Sequence, residues 1–365
     1  MQVIDGGTLE GGGQILRNAI ALSALLRRSV TIENIRKDRK SPGLKNQHRT
    51  GLELASTIAS AKLTGAYNSS TQVVFEPGDC SQQHVGQEFM ADAVTAGSTM
   101  LLLQIALPIL LFNVYKGPLV QLQSSAIKLT LKGGTNAELA PQVDYTHNVF
   151  LLFLQKHFLA REDSTGMNAT IEVEVERRGY YPKGGGVVHI HIKPLLPGTA
   201  LQPVKLRHYG RVLSIRGIAH YAGLPTSIGK DMVRGALERL RAAQFMTDER
   251  TSATMTDDNA ISICVEQRRE PRDMTTGAGN GIVLWAELEG GGYVGGSAVG
   301  RKGMDPRHVG SQAAEELVKS LNKRSCVDEW LQDQIIIFMA LAQGISEVCC
   351  GTQELSLHTR SAILD

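Results

Sequence analysis

Two hydrophobic periods alternate along the chain from Val3 to Pro194, and that alternation leaves few folds open. VIDGG, a glycine-rich turn and QILRNAIALSALL predict a strand, a loop and an amphipathic helix that buries Ile15, Ala19, Leu22 and Leu26. VTIENI predicts a strand and RKDRKSPGLK a loop. QHRTGLELASTIASAK predicts a helix with Leu52, Ala55, Ile58 and Ala59 inward, and TQVVFEP a further strand. This reads as a βαβαβ unit of roughly 80 residues. The pattern recurs with a helix from Ala96 to Leu111, a strand at AIKLTLKGG, a helix from Asp144 to Lys156, and strands at ATIEVEVERRG and GVVHIHIKP. The expected class is therefore α/β (α+β), built on a repeated βαβαβ unit.

The rhythm changes near Val204. A strand (RVLSIRGIAHYA), a helix (SIGKDMVRGALERLRAA), three strands (AISICVEQ, GIVLWAEL, GYVGGSAVG) and a helix (VGSQAAEELVKSLNKR) predict a smaller inserted domain over 205–322. Residues 1–204 and 323–365 then form the large domain. The polar link from Glu266 to Gly281 predicts an exposed loop. VDEWLQDQIIIFMALAQG predicts a helix, and LSLHT a closing strand.

Composition narrows the classes. At 365 residues the chain can bury a sizeable core, and a hydrophobic share of 42% with 20% charged residues excludes a disordered or fibrous chain. Aromatics at 5% argue against RNA binding built on stacking platforms. The apolar run Met100–Phe112 is interrupted by Gln104 and Pro108 and is too short to span a bilayer, so no membrane partner is expected. The opening MQVIDGGTLEGGG has neither the basic nor the apolar region of a secretory signal. The five cysteines are odd in number and lack Cys-x-x-Cys spacing, which fits a reducing compartment and not a structural zinc site.

Charge is uneven. Between Arg27 and Arg49 eight Lys or Arg face only Glu33 and Asp38, a segment suited to holding a polyanion through its phosphates or, equally, to a solvated basic loop. Glu10-Gly-Gly-Gly-Gln14-Ile-Leu-Arg17 puts a glycine turn at a helix start, where free N–H groups can hold phosphate. Glu10 offers a carboxylate to a divalent metal; a structural tight turn is the alternative. Arg177-Arg-Gly-Tyr-Tyr-Pro-Lys-Gly-Gly-Gly186 joins two strands, with Arg178 and Lys183 flanking backbone that a ligand could approach. In Asp328-Glu-Trp330-Leu-Gln-Asp333-Gln334 an aromatic ring precedes hydrogen-bonding groups one turn along, a surface suited to a purine nucleoside as well as ordinary helix capping. His358, between apolar neighbours, reads in isolation as a structural histidine.

Taken in order, EGGGQILR (10–17), IRKDRKSPGLKNQH (35–48), TAGSTMLLLQIALP (95–108), KGGTNAELAPQVDY (132–145), RGYYPKGGG (178–186) and DEWLQDQIIIFMALA (328–342) resemble the RNA 3'-terminal phosphate cyclase family over essentially the whole chain. The resemblance implies a large domain related in architecture to enolpyruvyl transferases, with the inserted domain described above. It also implies a reaction: ATP adenylylates a histidine, AMP passes to an RNA 3'-phosphate, and the 2'-hydroxyl closes a 2',3'-cyclic phosphate. By the same resemblance His358 is the nucleophile and Glu10 holds a divalent metal, Mg or Mn. Gln14, Arg17, Arg36, Arg39 and Gln47 surround the RNA and ATP phosphates, while Gln104, Pro141, Trp330, Asp333 and Gln334 form the nucleotide pocket with Trp330 on adenine. The partner implied is an RNA ending in a 3'-phosphate, and the location the nucleus, with or without the cytoplasm. Tyrosine is common in the family where this chain has Trp330, and relatives usually continue for another strand where this chain stops at Asp365. The alternative within the family is a non-catalytic cyclase-like protein acting in ribosome assembly, which would lack the nucleophilic histidine.

Overall fold

The computed structural model describes residues 1–9, 11–78, 86–112, 126–160, 169–245, 261–352 and 354–364. The first unit runs β1 (Gln2–Asp5), α1 (Gly13–Leu26), β2 (Val30–Glu33), α2 (Asn46–Ile58), β3 (Lys62–Thr64) and β4 (Val73–Glu76), with sheet order β1-β2-β4-β3. β1 and β2 are parallel, as a helical crossover requires, and β4 is antiparallel to both β2 and β3.

The second unit repeats this topology. It comprises β5 (Glu88–Asp92), α3 (Thr99–Leu111), β6 (Ile127–Gly133), a helical run α4 (residues 143–159), β7 (Thr170–Gly179) and β8 (Gly186–Lys193). The sheet order β5-β6-β8-β7 and the sense of every pairing match the first sheet. The repeat is thus βαβαββ, one strand longer than the alternation predicts. In the first unit the strand missed is β3, three residues long with two exposed polar side chains, and in the second it is β5, whose Phe89 and Ala91 alone point inward. Strands this short give the period-2 pattern too few positions to register.

Helices α1–α4 share one core, in which Ile20, Leu52, Leu102, Leu107, Phe150 and Phe153 are fully buried. α3 is apolar on every side because it is enclosed on every side, which accounts for the run Met100–Phe112. Among the described residues no helix is long and apolar enough to cross a membrane.

A second core lies between a sheet of order β11-β10-β13-β14 and two helices. The strands are β10 (Val212–Ala222), β11 (Ser262–Glu270), β13 (Gly279–Leu288) and β14 (Tyr293–Val299); the helices are α5 (Thr226–Ala242) and α6 (Pro306–Asn322). The helices cross backbone to backbone, since a Cβ on Gly310 would stand 1.9 Å from the carbonyl oxygen of Met232. The predicted exposed loop 266–281 is largely strand: β11 continues to Glu270, and β12 (Thr275–Thr276) adds to the edge of β7. Its polar residues alternate on an edge and so mimic a loop composition.

Buried polar side chains from the motifs at 132–145 and 178–186 join the two cores. Arg178 binds both oxygens of Asp144, at 2.6 and 2.9 Å, and Glu270 at 2.6 Å. Gln142 donates to the carbonyls of Ile282 and Ala298, and His220 Nε2 lies 2.9 Å from Gln142 Oε1 and 3.1 Å from Asn136 Nδ2. Burial alone would raise the Asp144 carboxyl, but the Arg178 guanidinium beside it holds it below the usual carboxylate range. Arg178 is therefore tied into the fold by these partners, and with His147, Arg268 and Glu270 it also lines a cavity.

After the second core, α7 (Glu329–Leu341) returns to the first, the short β15 (Glu347–Val348) pairs with β9 (Lys205–Leu206), and α8 (Leu357–Leu364) ends the described chain. The predicted strand LSLHT is a helix start instead. Ser356 accepts the Thr359 N–H through its hydroxyl at 3.1 Å and the Arg360 N–H through its carbonyl at 2.9 Å, so a local cap overrides the apolar alternation.

Candidate active site

The glycine turn brings the basic segment onto the start of α1. Gly12 caps that helix with no side-chain hydrogen bond, and its first turn holds no acidic residue to offset the positive end of the dipole. Gly13 lies beneath two side chains: a Cβ there would meet His48 Nε2 at 2.8 Å and Arg17 Nη1 at 3.0 Å. Only glycine allows the turn to sit so close under both. Glu10 itself lies outside the described residues. Among those described, no group of three or more His, Cys, Asp or Glu is arranged to hold a metal ion.

His48, at the start of α2, is a residue that the sequence reading passes over. Burial, followed by the charges of Arg36, Arg17 and Lys45, pushes its imidazole down to about 3, so it is neutral. Its Nδ1 accepts the Lys45 N–H at 3.1 Å. Three cations around one neutral ring make this the positive focus of the turn. Arg36, in the left-handed region at φ +55°, donates to the Gly43 carbonyl at 3.0 Å, and Arg39 follows one turn on, its N–H bonded to the Arg36 carbonyl. Gln47 accepts the Ser98 N–H at 3.3 Å, which ties α2 to the cap of α3. The density of basic residues around NQH is the signal that could have singled out His48.

A second crevice opens beside the first, between α1, α3, α4 and α7. Its lining includes Gln14, Arg17, Gln104 and Gln334 on one side and Leu107, Phe150 and Phe338 on the other. Arg17 also lines the crevice beside Gly13, Gln47 and His48, so it belongs to both. Arg17 and Gln14 hydrogen-bond each other, and Gln14 Nε2 reaches the Asp333 carbonyl at 3.4 Å. Three buried acceptors here have no hydrogen-bond partner: Gln104 Oε1, Asp333 Oδ1 and Gln334 Oε1. Burial pushes the Asp333 carboxyl up to about 7 against the pull of Arg17. Buried acceptors without a partner in the chain take a hydrogen bond from ordered water or from a ligand donor.

Trp330, half-buried on the first turn of α7, is held from two directions. Its backbone N–H and that of Leu331 donate to the cap residue Asp328, each at 2.9 Å, and its indole N–H donates to Glu316 of α6. Asp328 also accepts the Tyr145 hydroxyl at 2.7 Å and the Gly295 N–H at 2.7 Å. Pro141 is buried two residues ahead of α4, the helix that carries Tyr145. His358 is exposed on the first turn of α8, which packs against α1 and α7, the helices that carry Arg17 and Asp333. Thr359 beside it donates to Gln332 of α7 at 3.4 Å.

A family model described as RNA 3'-terminal phosphate cyclase matches residues 8–365. The chain belongs to that family. Curated members at similar distance include the RNA 3'-terminal phosphate cyclases of Pyrobaculum aerophilum, 34% identical over 99% of this chain and 91% of the relative, and of Methanopyrus kandleri, 36% identical over 94% and 86%. The cyclase of Drosophila melanogaster is 35% identical over 100% of this chain and 89% of the relative. The resemblance carried by the six motifs is thus a family relationship along the full chain, and the mixed α/β fold is the fold of a cyclase-family member.

Proposed function

We propose that this chain uses ATP to convert an RNA 3'-terminal phosphate to a 2',3'-cyclic phosphodiester through a covalent adduct on His358. The observation that carries this reading is the double position of Arg17, which lines both the crevice of Gln47 and His48, a ring on which the charges of Arg36 and Lys45 also act, and the crevice of Gln104 and Gln334, next in sequence to Asp333. A nucleotide bridging the two would put its base against the acceptors and the Trp330 ring, and its phosphates against the arginines.

The chemistry follows from the groups available. A neutral imidazole nitrogen of His358 attacks the α-phosphorus of ATP, forming a P–N bond as the bond to the β-phosphate oxygen breaks and pyrophosphate leaves. An oxygen of the RNA 3'-phosphate then displaces the imidazole from phosphorus. The terminal 2'-hydroxyl attacks the activated 3'-phosphorus, losing its proton and releasing AMP. Arg17, Arg36 and Arg39 offset the charge on the transferring groups, while Gln14 and Gln47 keep α1 and α2 in register around them. Asp333, pushed up to about 7 by burial and so partly protonated near neutral pH, can donate to or accept from the nucleoside. In this reading Glu10 binds the divalent metal, Mg or Mn, which neutralises phosphate charge; residues 205–322 form the inserted domain around the second core; and the enzyme works in the nucleus.

With ATP and Mg or Mn, an RNA ending in a 3'-phosphate is expected to gain an end that phosphatase no longer removes. The same RNA ending in a 3'-hydroxyl should be unchanged. Equal handling of both, or of neither, would leave the non-catalytic branch as the better account.

A further inference from the structure

The indole of Trp330 has a single N–H, and that N–H is taken by a carboxylate from the other core. Glu316 sits on α6, between Ala313 and Leu317 of the second core, and both of its oxygens are engaged: one accepts the Ser297 N–H at 2.8 Å, the other the indole N–H. Ser297 lies on β14, in the sheet under α6. The carboxylate is therefore fixed by its own core before it meets the ring, and the ring is fixed in plane by an element that takes no other part in the pocket. Asp328 holds the Trp330 backbone and Glu316 holds its far edge, a two-point clamp on one side chain.

A half-buried indole without such a partner can turn about its side-chain bonds, and base stacking then has to offset the lost rotational freedom when ligand arrives. A ring held in advance stacks without that cost. With its only N–H engaged, the ring also presents a face and no donor, so it contributes stacking energy and leaves reading of the base to other groups. We propose that Glu316 is a positioning residue for nucleotide binding, setting the plane of Trp330 from the second core; this rests on the reading of Trp330 as the cover of the purine.

The test uses the two tryptophans of the chain, Trp330 and Trp285, whose indole N–H signals are resolved by 15N-edited NMR of the full-length protein. In the wild type the Trp330 signal is expected downfield, as for an N–H bonded to a carboxylate, and should move on titration with ATP. Glu316→Met, close in volume and without acceptors, should move that signal upfield and leave in place the signal of Trp285, which sits on β13 of the second sheet and packs against the first core, so that it reports intact packing between the two. The KM for ATP should rise roughly three- to tenfold with kcat within about twofold, the split expected when pre-organisation of ground-state binding is lost. Trp330→Phe keeps a ring without the N–H, and adding Glu316→Met to it should cost nothing further. If Glu316→Met moves the signal while ATP binding is unchanged, or if the two substitutions add in full, Glu316 does not act through the indole and the proposal is overturned, with the purine reading intact. If ATP leaves the Trp330 signal unmoved in the wild type, the purine reading itself fails and takes this inference with it. Should Glu316→Met displace the Trp285 signal, Glu316→Gln replaces it: an oxygen and an NH2 stand where the carboxylate had two acceptors, so the indole N–H meets either a neutral acceptor or a donor, and the signal and the KM should shift in the same direction by a smaller amount.

Discussion

Two buried polar regions of this molecule look alike in composition and differ in how completely they are satisfied. Around Arg178, every strong donor finds an acceptor: Asp144 takes two guanidinium bonds and Glu270 a third, with Asn136, Gln142, Tyr180 and His220 closing the lattice. Between α1, α3 and α7, Gln104, Asp333 and Gln334 each keep an acceptor without a partner. A satisfied network rigidifies, and an unsatisfied one waits for a ligand. Both regions come from family motifs, so motif membership alone does not say which residues hold the fold and which meet the substrate.

The contrast breaks most easily at Arg178. Arg178→Ala leaves the Asp144 carboxylate buried and unpaired, and should lower unfolding free energy by about 3–5 kcal/mol. Denaturant titration reads that loss, and it should be the same with and without ATP. In the other region, Gln334→Leu removes an acceptor that has no partner, together with a donor whose only bond is to the Trp330 carbonyl of its own helix. It should change stability by less than about 1 kcal/mol while weakening ATP binding roughly tenfold. An Arg178 variant of normal stability, or a Gln334 variant that loses several kcal/mol, would erase the distinction.

Acid and base act on the two regions in opposite directions. Burial raises Asp333 and Glu316 to about 7 and Asp328 to about 6, so these three carboxyls hold more protons in the folded state than in the unfolded chain between about pH 4 and 7 and make stability fall as pH rises through that window. Asp144 is held below the usual carboxylate range by Arg178, so its contribution is present above about pH 4 and is lost as pH falls below it. The imidazoles of His48 and His220, both pushed down to about 3 by burial, act the opposite way between about pH 4 and 6.5, so the carboxyl contribution is read as the difference between wild type and variant. Relative to the wild type, Asp333→Asn should lose one downward slope between about pH 4 and 7 and keep the loss of stability below about pH 4. A profile unchanged between about pH 4 and 7 in that variant would show that Asp333 does not titrate there.

How much of this was legible beforehand depended on range. α1 was readable because Ile15 and Ala19 of its predicted stripe are buried without reference to anything distant, with Leu22 partly buried and Leu26, at the helix end, exposed. The cationic turn was readable because its charges lie within one short segment. The strands β3 and β5 were too short to carry a period, and the Ser356 cap turned an alternating tail into a helix. The structural commitment of Arg178 could not be seen in its own motif, since its partners lie 34 and 92 residues away. Glu316 gave no signal at all, because it reaches Trp330 from another helix and another core.

The account stands or falls on the imidazole at the start of α8. Incubating the protein with ATP labelled at the α-phosphate, in the presence of Mg or Mn and without RNA, should leave label on the chain as an acid-labile, base-stable adduct that maps to His358. It should disappear in His358→Ala, a substitution at an exposed position that should move stability by no more than about 0.5 kcal/mol. Label that survives undiminished in that variant, or that never forms in a folded wild type which binds ATP, would contradict the assignment of His358 as nucleophile.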